Sequence, residues 1–144
     1  MKRIFAILLA LTLGFFLFPR AELSPKESII STVNKAAEAA RRARPGDFMD
    51  HIAENYQDEH LSRKTLKAFV TRRLLAGGGL AVHLSPIEVT FDSDPNRAFA
   101  QFQARFPQSL ERVRPGQEDV RVFKLELTLV GDEWKILSQE NKQE

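Results

Sequence analysis

The chain has 144 residues, no cysteine, and 21 basic against 19 acidic side chains, a formal charge of +2. The missing cysteines exclude disulfides, thiolate chemistry and a lipid-modified N-terminal Cys. Lys2, Arg3 and Arg20 carry the basic excess, so residues 22–144 hold the other 18 basic side chains against all 19 acidic ones, which argues against a nucleic-acid partner.

Lys2 and Arg3 precede an apolar run, Ile4–Phe18, that is shorter than the roughly 20 residues a bilayer span needs. It matches a signal-peptide core, with positive charge retained on the cytoplasmic side. Pro19-Arg20-Ala21 ends in a small residue but lacks the small-x-small pattern. A cleaved signal peptide and a retained membrane anchor therefore both remain for residues 1–21, the membrane contact in the second case lying in residues 4–18. Residues 22–144 are expected to form one domain, periplasmic or secreted, or anchored in the inner membrane with the domain outside the cytoplasm.

Ser24-Pro25-Lys26-Glu27 reads as a capping box with Pro at the first helical position. Ile29, Ile30, Val33, Ala36, Ala37 and Ala40 then recur at helical spacing up to the Pro45-Gly46 stop. Asp47 is placed to cap a short second helix on which Phe48, Ile52 and Tyr56, four apart, form one apolar stripe. Ser62 caps a third helix with Leu66, Phe69, Val70 and Leu74 facing the core and Arg63, Lys64, Lys67, Arg72 and Arg73 on its other sides, ended by Gly77-Gly78-Gly79.

Beyond the glycines the period becomes two. Val82 and Leu84 are apolar before Pro86, whereas Ile87, Val89 and Phe91 are apolar after it, so the parity changes. One extra residue at Ser85-Pro86, a bulge, explains the change. Arg97–Phe106 places Ala98, Ala100, Phe102, Ala104 and Phe106 on one face. After a long connection, Pro107–Glu118, the strand Asp119–Val130 turns Phe123, Leu125, Leu127 and Leu129 inward. Gly131-Asp132 makes a hairpin into Glu133–Gln139, with Trp134 and Ile136 on one side and Asn141–Glu144 as a frayed tail. The fold class is α+β: about three helices packed on a curved antiparallel sheet of about four strands.

Phe48…Ile52…Tyr56 followed by Gln57-Asp58, the capped third helix, the bent strand and the closing Gly131-Asp132-Glu133-Trp134-Lys135-Ile136 resemble the nuclear transport factor 2-like superfamily, also called cystatin-like or SnoaL-like. The likeness covers about Pro25–Gln139, and is nearest to small exported bacterial members without assigned activity. It implies a cone, with the sheet wrapped round a helix to enclose a pocket. Some relatives are isomerases, dehydratases or cyclases, and others only bind a ligand or partner.

An enzyme of this shape needs a carboxylate or imidazole inside the cone and a hydrogen-bond donor beside it. The inward strand positions read as hydrocarbon, without acid or histidine. Tyr56, His51 and Asp58 are the residues left for a lyase or isomerase. Asp58-Glu59-His60 is too local to converge on one metal ion, and no phosphate loop or cofactor motif is present, so neither cofactor nor metal is expected. The reading favoured is a non-enzymatic domain binding a small apolar ligand or a protein partner. Phe48, Ile52, Tyr56, Phe69, Phe102, Phe123, Leu125 and Trp134 are its candidate pocket residues. Phe99 among Arg97, Gln101, Gln103 and Arg105, with Val122 beside Lys124, marks the outer sheet face as a candidate homodimer surface.

Overall fold

The computed structural model describes residues 23–107 and 118–143. The N-terminal segment and most of the Pro107–Glu118 connection lie outside them. Helix α1 is Pro25–Arg41, with the Ser24–Glu27 capping box formed in both directions. Its buried face is Ile29, Thr32, Val33, Ala36, Ala39 and Ala40. The basic cluster at its end is largely engaged: Arg41 and Arg42 pair with Glu38, and Arg41 Nε also donates to the Val82 carbonyl at 2.8 Å.

Helix α2 is Pro45–Met49, shorter than the apolar spacing suggests. Asp47 is not its cap. It lies in the first turn and pairs with Arg44, the capping residue, at 3.7 Å. Ile52 and Tyr56 are buried but off the helix, because the edge of the last strand captures this backbone instead. Ile136 N–H donates to the His51 carbonyl, and Ala53 and Gln57 N–H donate to the Ile136 and Leu137 carbonyls. Those three bonds, unavailable to a free peptide, outweigh helical periodicity here.

Helix α3 is Arg63–Gly77, with Ser62 and Thr65 forming a reciprocal cap and Gly78 closing it in the left-handed region. Leu66, Val70 and Leu74 are buried, but Phe69 is not: it is 50% exposed. On a helix turning about 100° per residue, the buried trio spans about 80° and Phe69 falls about 60° beyond its edge. The glycines continue back against α1, where Gly79 N–H donates to Leu74 and Leu80 N–H to Ala40.

The sheet has five antiparallel strands, because the bent strand divides into β1 (His83–Leu84) and β2 (Glu88–Phe91), both paired to β3 (Arg97–Phe106). The register to β3 advances by one residue between Leu84↔Ala104 and Glu88↔Gln101, which is the bulge expected at Ser85-Pro86. Ser85 occupies the break, its N–H donating to the Gln103 carbonyl and its Oγ accepting the Gln103 N–H. Strand β3 pairs along its whole length with β4 (Asp119–Val130). Gly131, at φ +65°, turns into β5, which runs Glu133–Gln143 and so includes most of the expected tail. A second register shift, beside Leu137, separates Trp134 and Ile136 from Gln139 and Asn141, which face Leu125 and Phe123.

The core forms between α1, α2, α3 and the inner sheet face. Ala98, Ala100, Ala104 and Leu127 are almost fully buried, and Phe102, Phe106, Leu125, Trp134 and Ile136 are below 9% exposure. Phe123 stacks on Phe102 at 5.7 Å and meets Phe106 edge-on at 6.5 Å. Burying such side chains is the dominant favourable contribution, at about 1.5–3 kcal/mol each. Phe91 departs from the expected pattern: it is 49% exposed on β2 and touches Trp134 edge-to-face at 6.4 Å.

Candidate functional site

Two adjoining clefts open at one end of the molecule, on either side of Trp134. The start of α1 and the β4–β5 hairpin line both; the β2–β3 turn completes the first and the end of α2 the second. The first, of ≈ 490 Å³, is lined mainly by Leu23, Pro25, Phe91, Pro95, Leu129 and Trp134, with Asp92 and Asp132 and no cation. The second, of ≈ 460 Å³, is polar and carries Thr32, Lys35, Asp50, His51, Glu133 and Lys135. Thr32 Oγ1, between the two, lies 3.1 Å from the Ser28 carbonyl of its own helix and 3.3 Å from the Trp134 carbonyl, and shares its one proton between them. Lys135 Nζ pairs with Glu133 at 3.0 Å and donates to the Asp50 carbonyl.

The residues left for a lyase or isomerase, Tyr56, His51 and Asp58, do not converge on either cleft. His51 lines the second. Burial lowers its imidazole pKa, and the charges of Lys135 and Lys35 act in the same direction, against the opposing carboxylates of Asp50 and Glu133. Tyr56 and Asp58 line neither cleft and are bonded to each other, hydroxyl to carboxylate. Burial, and then the Asp58 carboxylate, push the Tyr56 phenol well above its ordinary value, so it stays a donor. Burial alone would raise Asp58, but the Tyr56 hydroxyl and the N–H groups of His60 and Leu61, both at 2.7 Å, bring it below the usual carboxylate value. Asp58 thus closes the turn that carries the chain into α3, where Arg63 N–H donates back to the Tyr56 carbonyl.

Of the candidate pocket residues, Ile52, Tyr56, Phe102, Leu125 and Trp134 are buried, Phe48 and Phe123 are partly buried, and Phe69 is exposed. Only Trp134 lines either cleft.

The inner wall is not purely hydrocarbon. Asp119 stands opposite Phe106 and is 1% exposed. Both of its carboxylate oxygens lie 3.2–3.3 Å from the Arg121 guanidinium, which shares its strand face. Neither cleft reaches Asp119. The expectation of an acid-free wall fails because the strand begins four residues before its first large inward apolar group.

No family model and no curated protein matches the chain. Solved structures do. An NTF2-like protein from Cytophaga hutchinsonii superposes with a TM-score of 0.69 at 11% identity, over 85% of this chain and 100% of that one. A putative scytalone dehydratase from Novosphingobium aromaticivorans gives 0.63 at 15% identity, over 81% and 82%. Bdellovibrio bacteriovorus Bd1075 gives 0.67 at 14% identity over 81% of this chain, which spans only 39% of Bd1075. The class is therefore the NTF2-like, cystatin-like α+β fold, and at these identities the likeness is one of fold.

Proposed function

We propose that this chain is a non-catalytic binding domain working outside the cytoplasmic membrane, exported or held there by residues 1–21, and that it takes a small, largely apolar ligand at Trp134. The observation that carries this reading is the ≈ 490 Å³ cleft in which Phe91 and Trp134 meet edge-to-face above Leu129 and Pro25. Its size lies in the range of about 300–1,000 Å³ typical of small-molecule sites, and its walls are mainly apolar with few polar groups. Asp92 and Asp132, without a cation beside them, favour a ligand that is neutral or positively charged at its polar end.

Trp134 is the sole tryptophan, so its emission reports occupancy directly. A saturable emission change with apolar probes, lost in Phe91→Ala and accompanied by a co-retained mass in native mass spectrometry, is the expected result. A flat titration together with a ligand-free native mass would overturn the reading.

A lyase or isomerase is the second reading. It rests on the His51 imidazole in the polar cleft and on the fold likeness to a putative scytalone dehydratase. Against it, Tyr56 and Asp58 are committed to each other away from that cleft. A protein partner or second copy on the outer sheet face draws on Lys124, whose ammonium sits 5.2 Å from the Phe99 ring centre. Charge reversal at Lys124 would then convert a dimer to a monomer in ultracentrifugation.

A further inference from the structure

We infer that the outward face of α3 is a docking surface for an anionic lipid bilayer. Helix α3 has five cations and no acid in its 15 residues. Among the described residues, Lys64, Lys67, Arg72 and Arg73 pair with no carboxylate. The same surface exposes Phe69 at 50% and Leu75 at 63%, two of the large apolar side chains the fold leaves uncovered.

Their arrangement suits an interface. At about 100° per residue, Phe69 and Leu75 lie about 120° apart with Arg72 midway between them. Lys64 and Arg73 flank the pair. Phe69 and Leu75 can enter the acyl boundary while the long side chains of Lys64, Arg72 and Arg73 reach the headgroup phosphates. Lys64, Arg72 and Arg73, which share this side of the helix, supply the attraction to an anionic surface and make binding salt-dependent, while Phe69 and Leu75 supply the apolar contact. An acidic protein would meet the charges but leave Phe69 and Leu75 unexplained.

The test uses the full chain in vesicles, with Phe69→Trp as the reporter in a Trp134→Phe background and lipids brominated on their acyl chains. Quenching in phosphatidylglycerol-containing vesicles is expected, with none in pure phosphatidylcholine. It should vanish in about 1 M salt, where the Debye length is about 3 Å, and in the Lys64→Glu, Arg72→Glu, Arg73→Glu variant. Hydrogen exchange on the unsubstituted chain should show residues 63–77 protected by anionic vesicles alone, a measurement independent of the reporter's folding. Equal quenching or protection in neutral vesicles, or none in either, overturns the inference. So does protection of residues 63–77 by soluble polyglutamate with no effect of anionic vesicles, which would identify an acidic protein as the partner.

Discussion

The Tyr56 hydroxyl donates to Oδ2 of Asp58, two residues further along, while Oδ1 of the same carboxylate accepts the N–H groups of His60 and Leu61. The pair that fold analogy would recruit for proton transfer is thereby occupied in shaping a turn. Tyr56→Phe should lower unfolding stability by about 1–2 kcal/mol, since a partly buried, charge-assisted bond is lost. Because Asp58 is held below its unfolded value near 4, its contribution is present above that pH and is lost as pH falls through the folded value. Urea melts from pH 7 to 2 should show a smaller acid loss in Tyr56→Phe than in the unsubstituted protein.

A side chain on Gly79 is not tolerated. A Cβ there would stand 2.3 Å from the Arg41 carbonyl oxygen, and the residue is at φ +116°. Gly79→Ala should cost about 1–3 kcal/mol or more through strain and displacement of the α1 end. Gly77→Ala is the control, because a Cβ at Gly77 meets nothing within 4 Å. That substitution should leave the melting temperature unchanged or raise it.

His51 gives the second pH signature. Its folded pKa lies below the unfolded value of about 6.5, so the unfolded chain binds the proton first as pH falls. Stability from this group is full above pH 6.5 and declines below it until the folded value is passed. Thermal melts between pH 7.5 and 5 should show this slope, and His51→Gln should flatten it.

Arg121→Met tests the buried ion pair. Removing the guanidinium leaves the 1%-exposed Asp119 without its partner, at a cost of about 3–5 kcal/mol. Chemical denaturation at pH 7 measures the loss, and adding Asp119→Asn to the Arg121→Met background should recover part of it, which a simple packing defect would not.

What could be read from the sequence was what local forces decide. The Ser24–Glu27 box, the Ser62 cap, the span of β3 and the bulge at Ser85-Pro86 depend on neighbours within a few residues, and each forms as expected. Ile52 and Tyr56 have helical spacing but answer to the unpaired backbone of β5, more than 80 residues away in the chain. Asp119 opens the strand expected from the sequence, and alternation puts it on the face of Phe123, but the inward side chains of that strand are read only from Phe123 onward. The Trp134 clefts carried no motif, since Leu23, Phe91 and Asp132 are ordinary residues of three separate turns.

The capture of residues 51–57 by β5 also bears on how the protein behaves when concentrated. The outer border of β5 is held at Ile136 and Leu137 by its own chain, and the opposite border is two short strands interrupted by Pro86. Such interruptions shorten the template along which foreign strands add, and so work against aggregation by strand accretion.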